Sequence, residues 1–136
     1  MKLVFRCSLG LIACLLICQG YGQSLFSNCS AAFLNNKMVV DNYSPDGKCT
    51  LDHKSTGELT VCTANLSPTE SIAVDKIKFK VAIRDQNTKT ITMYSDETFK
   101  QVSIQKIMTK ARKGDHLVLI TMDNEYALPH NEILVK

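Results

Sequence analysis

The residues able to do chemistry are few and scattered. Three histidines, His53, His116 and His130, stand far apart along the chain. None belongs to a His-Glu-x-x-His stretch, a Cys-x-x-Cys pair or a His pair one helical turn apart, so the spacing that zinc requires is missing. Cys49 and His53 lie four residues apart, but this single pair would need Cys62 and a fourth group to hold a metal. No Gly-x-Ser-x-Gly elbow is present to activate a serine. Cys29, Cys49 and Cys62 lack the cationic or helix-start setting that lowers a thiol pKa. The 13 acidic residues define no acid–base pair, because separation in space decides that role. The expectation is a protein that is not an enzyme, with no catalytic, cofactor-binding or metal-binding residues.

The N-terminus points to export. Lys2 and Arg6 precede an apolar run over residues 9–18, and Gly20 and Gly22 supply small residues for cleavage before Gln23. The run is shorter than the roughly 20 residues of a spanning helix. Leu11-Ile12-Ala13-Cys14 also fits a lipobox, but apolar Leu15-Leu16-Ile17 follows where a lipoprotein has a polar tether. Ordinary removal of a signal peptide over 1–22 is expected, leaving one domain over 23–136, secreted or periplasmic, with no stable membrane insertion. Two of the 16 Lys and Arg residues and none of the acids lie in the leader, so the remainder carries only +1. That balance gives no reason to expect nucleic acid. Cys29, Cys49 and Cys62 remain, and an oxidising compartment favours a disulfide. Cys49–Cys62 is the expected pair, closing a short loop worth about 3 kcal/mol in chain entropy. Cys29–Cys49, Cys29–Cys62 and three buried thiols are the alternatives.

The elements that must position these residues are mostly strands. Residues 76–94 organise the rest. Ile77, Phe79, Val81 and Ile83 alternate with Lys76, Lys78, Lys80, Ala82 and Arg84, so one face is apolar and the other mostly charged. Asp85-Gln86-Asn87-Thr88 supplies turn formers, and the return arm puts Ile91 and Met93 on one face and Thr90, Thr92 and Tyr94 on the other, a hairpin with one buried, apolar face and one wet face. Before this hairpin, residues 23–33 read as a loose arm or helical turn. Residues 37–43 and 58–66 read as strands, and Ser44-Pro45-Asp46-Gly47 reads as a turn with Gly47 at positive φ. After the hairpin, Ser103 caps a helix over 104–113 with the stripe Ile104, Ile107, Met108 and Ala111. Lys110, Arg112 and Lys113 complement its dipole and Gly114 closes it. Residues 116–122 form a strand, 123–125 a turn, and Ile133, Leu134 and Val135 a last short strand.

The stretch FKVAI at 79–83, a short helix ending in KARKGD at 110–115, LVLITM, YALP at 126–129 and the final ILVK together resemble the C-terminal domain of the gliding-motility protein GldM. The resemblance covers about residues 76–136, and the Asp123-Asn124-Glu125 turn departs from it in lacking the family's Gly. It implies a small antiparallel, immunoglobulin-like β-sandwich with one short helix, at the envelope of a bacterium with type IX secretion, binding protein and catalysing nothing. The row Lys76, Lys78, Lys80 and Arg84 is the candidate partner face, alternatively a solvated guard against aggregation. A small secreted enzyme or enzyme inhibitor, or a small-ligand or carbohydrate binder, are the competing classes. A pocket with convergent polar groups would favour them, whereas a sheet edge or exposed apolar patch would favour a protein binder.

Overall fold

The computed structural model describes residues 29–66, 71–122 and 128–136. The expected leader, the break at 67–70 and the turn at 123–125 lie outside the described residues. The described chain is mainly β, with two largely antiparallel sheets and one short helix. One sheet joins β1 (Ser30–Leu34), β2 (Lys37–Met38), β4 (Glu58–Leu66) and β5 (Ser71–Lys76) in the order β2-β1-β4-β5, with β8 (Val102–Ser103) also beside β4. The other runs β3 (Thr50–Leu51), β10 (Glu132–Val135), β9 (His116–Thr121), β6 (Phe79–Arg84) and β7 (Ile91–Met93). Among the described strands only β3 and β10 pair in parallel.

The core lies between the sheets. Ala32, Leu59 and Val61 from the first meet Phe79, Val81, Leu117, Leu119, Ile133 and Val135 from the second. The helix α1 (Ile104–Met108) packs into the same core through Ile104, Ile107 and Met108, and buried Ala111 follows it, so the predicted stripe is the buried face. The first sheet has a second buried face. Ala31 and Phe33 of β1 and Cys62 of β4 cluster there with Met38 and Ala73 against them. The edge strands β2 and β5 come into contact, so this sheet curls around that cluster.

Several local expectations are corrected. The small residues at 30–34 form a central strand, not a loose arm, because pairing on both sides overrides the weak strand preference of Ser and Ala. Asn35 (φ 52) and Asn36 (φ 66) turn β1 into β2, the two-residue hairpin that wants positive φ at both positions. The segment 76–84 is not one strand. It crosses between sheets, since Lys76 ends β5 opposite Cys62 while Phe79 begins β6. Gly47 lies in a turn closed by its N–H on Ser44 O at 2.9 Å, but its glycine is required by space. A Cβ there would sit 1.8 Å from Asn42 O.

The helix is shorter than predicted. It ends at Met108, and the Lys110 and Ala111 N–H groups both return to Ile107 O. Ser103 has the extended φ and ψ of an N-cap but makes no side-chain cap bond. Lys110, Arg112 and Lys113 therefore lie beyond the helix, so complementing its dipole is not their role. Gly114 (φ 96) closes the following turn, which Asp115 builds by accepting the Arg112 N–H.

Candidate functional site

The registers decide which side chains share a surface. Ala82 faces Met93, and Arg84 faces Ile91, across β6 and β7. Lys80 faces Ile120, and Ala82 faces Val118, across β6 and β9. Paired residues point to the same side, so Lys80, Ala82, Arg84, Ile91, Met93, Val118 and Ile120 all stand on the outer face of the second sheet. This reverses the expectation that Ile91 and Met93 join the buried side of the hairpin. The turn sets the phase: Asp85 N–H bonds Thr90 O at 2.9 Å, Lys89 takes φ 61, and Thr92 rather than Ile91 falls opposite Ile83. A shift of one residue exchanges the faces of a strand.

The outer face is consequently apolar at its centre. Ile91 is 48% exposed, Met93 40%, Ile120 40% and Met122 51%, with Ala82 and Val118 buried among them. Lys80 stands within this patch, and Lys78 borders it through its carbonyl, which accepts the Met122 N–H at 3.0 Å. The predicted basic row is thus divided. Lys76 belongs to the first sheet and donates to Gln101 Oε1 at 2.6 Å. Arg84 Nε approaches Glu132 Oε1 to 2.8 Å, an ion pair without a well-aligned hydrogen bond. Lys78 and Lys80 remain as the cations of the patch.

A groove runs along the inner side of β7. One hollow of about 460 Å³ is lined by Thr88, Thr90, Thr92 and Tyr94, and by Lys110 and Arg112 from the segment after α1. A second, of about 440 Å³, continues past Tyr94 and Lys110 to Phe99 and Lys106. Lys110 Nζ lies 4.9 Å from the Tyr94 ring centroid and donates to the Tyr94 carbonyl at 3.2 Å. Arg112 Nη2 pairs with Asp85 Oδ2 at 2.8 Å. The Thr88 and Asn87 N–H groups on Asp85 Oδ1, aided by Arg112, hold the Asp85 carboxyl below the usual carboxylate range. The sequence signal for this groove is the basic cluster Lys110, Arg112 and Lys113, whose place before Gly114 is also that of a helix C-terminus.

His53 and His130 take structural places, and His116 lies in β9 opposite Arg84 and Leu134. His53 Nε2 lies 2.9 Å from both Met108 O and Ala111 O, closing the end of α1. His130 Nε2 donates to Ser44 O at 2.7 Å, and its ring meets Tyr43 edge-on at 5.2 Å. The Tyr43 hydroxyl donates to Ser30 O, and burial beside Cys29 pushes its pKa up. No disulfide joins any two of Cys29, Cys49 and Cys62. Cys49 packs in the core between the sheets, whereas Cys62 lies on the opposite face of β4 opposite Ala31. The first sheet therefore separates the expected pair, which loop length alone could not reveal. Burial, with Asp41 nearby, pushes the Cys49 thiol up to about 11.

Among the described residues no group of His, Cys, Asp and Glu side chains could hold a metal ion, and no helix is long and apolar enough to cross a membrane. No protein-family model, curated protein or solved structure matches the chain significantly.

Proposed function

We propose that this chain is an exported, non-enzymatic β-sandwich that binds an acidic protein surface at the bacterial cell envelope, through the outer face of its second sheet. The observation that carries the reading is the patch of Ile91, Met93, Ile120 and Met122, exposed together beside Lys78 and Lys80. Large apolar side chains gathered on one sheet face suit burial against a partner. The two lysines add steering and register, and they disfavour a basic partner. The likeness of residues 76–136 to the C-terminal domain of GldM agrees with this role, and on that likeness the sandwich is immunoglobulin-like.

The test separates folding from binding. The protein would be immobilised, and envelope proteins recovered on it identified by mass spectrometry, beside the variants Lys78→Glu with Lys80→Glu, and Ile120→Ser. Both variants are expected to melt like the parent, because the replaced side chains lie on the outer face. Both are expected to lose the same partner. Recovery on the parent is expected to fall as salt rises, since exposed charges are screened beyond about 8 Å at physiological ionic strength. Undiminished recovery by both folded variants would remove this face from the reading.

A further inference from the structure

We propose that β7 accepts an extended segment of a partner protein as an additional strand, and that Lys110 holds an acidic side chain of that segment. This surface is the edge and inner side of β7. It borders the outer face discussed above at Ile91 and Met93, Met93 lining the hollow as well, but engages the main chain of those two residues and Lys110 rather than Lys78, Lys80 and Ile120.

The main chain of β7 is set for such an addition. Asp85 N–H bonds Thr90 O and Tyr94 N–H bonds Val81 O, each at 2.9 Å. In an antiparallel ladder, bonding residues alternate, so Thr90, Thr92 and Tyr94 turn their main-chain groups toward β6. Ile91 and Met93 then direct their N–H and C=O groups the other way, where no described strand pairs with β7. Ile91, Thr92 and Met93 are all exposed. Edge strands are normally blunted by lysine, proline, a bulge or shortness. Of these guards, Ile91-Thr92-Met93 has only its shortness. An extended segment beside it would gain main-chain bonds, the mode of strand addition.

The groove specifies the side chain. Alternate residues of an added strand point toward the inner side, where Thr90, Thr92, Tyr94 and Lys110 line the hollow. The two carboxylates there already have partners. Asp85 accepts the Asn87 and Thr88 N–H groups and pairs with Arg112, and Asp115 accepts the Gln86 and Arg112 N–H groups. Lys110 has no carboxylate within ion-pair distance among the described residues. Its ammonium has three donors, of which the Tyr94 carbonyl takes one. A carboxylate entering beside Thr92 would use the others, and a basic side chain would be repelled.

The purified protein would be titrated with capped seven-residue peptides of alternating Thr and Val whose central residue is Glu, Gln or Lys. The Glu peptide is expected to bind about fivefold more tightly than the Gln peptide at low salt, a difference typical of a partly exposed ion pair. The Lys peptide is expected to bind more weakly than both. The Glu–Gln difference should vanish in Lys110→Gln, and amide exchange at Ile91 and Met93 should slow when the Glu peptide is bound. Equal binding of the three peptides, no binding by any of them, or unchanged exchange at Ile91 and Met93 would overturn the proposal. So would a concentration-dependent dimer in sedimentation that Met93→Pro abolishes, which would assign the edge to a second copy of this chain. Lys78, Lys80 and Ile120 do not line the groove, so failure here leaves the outer-face test intact.

Discussion

Asp85 illustrates how one side chain fixes a turn and the face of a strand. Its carboxylate is held low by the Thr88 N–H, then by the Asn87 N–H, with Arg112 contributing less. A carboxyl group depressed on folding stabilises the fold above its unfolded value, about 4, and that contribution is lost as pH falls through the folded value. The Asn87 and Thr88 amide resonances should therefore titrate together, with a midpoint below that of an unstructured aspartate. A midpoint at or above the unstructured value would mean that these bonds do not form in solution. Cys49 presents the opposite shift. A thiol pushed up to about 11 by burial is almost wholly protonated near neutrality and is a poor nucleophile. Iodoacetamide at pH 8 is expected to label Cys49 only after denaturation, and rapid labelling of the native protein would contradict its burial.

At the scale of elements, α1 is too short to be stable by itself and depends on what its side chains touch. Ile107 is fully buried among both sheets, so Ile107→Ala should cost roughly 2–5 kcal/mol in chemical denaturation. A loss below about 0.5 kcal/mol would be that of a surface change and would refute this packing. The start of β4 depends on Gly57, at φ 115, where a Cβ would fall 2.1 Å from Asn35 Oδ1. That oxygen accepts the Glu58 N–H, and the Asn35 amide nitrogen donates to Thr56 O. Gly57→Ala should therefore cost about 1–3 kcal/mol, the usual strain of such a backbone, measured by the same denaturation.

At the scale of the molecule, the two ends of the described chain are built into the middle of the sheets. β1 lies between β2 and β4, and β10 lies between β3 and β9. Ile133 and Val135 belong to the shared core, and Lys136 N–H still bonds Leu51 O. Deleting residues 132–136 would expose β9 and β3 together, so the truncated protein is expected to lose cooperative thermal unfolding. A cooperative transition within a few degrees of the parent would show that the second sheet closes without β10.

Alternation was legible along β6, and it misled along β7, whose apolar Ile91 and Met93 stand on the exposed side. Phe79, Val81 and Ile83 and the stripe of Ile104, Ile107 and Met108 take their expected sides, whereas the unbroken run at 116–121 did not tell its two faces apart: Leu117 and Leu119 enter the core and Ile120 is exposed. These patterns, with the turn formers between them, determined a mainly β chain with one short helix. β1 was less legible because Ser30, Ala31 and Ala32 have little strand preference of their own, and its hairpin at Asn35-Asn36 emerged only from the structure. The candidate surfaces were decided by tertiary structure. Period-2 patterning gives faces within a strand but not the register between strands, so it could not place Ile91 and Met93 beside Ile120. It also could not show that the chain changes sheets after Lys76, that the first sheet separates Cys49 from Cys62, or that Lys110 leaves the helix to lie over Tyr94. Each of these depends on which distant segments become neighbours, and that is fixed only when the two sheets close on their common core.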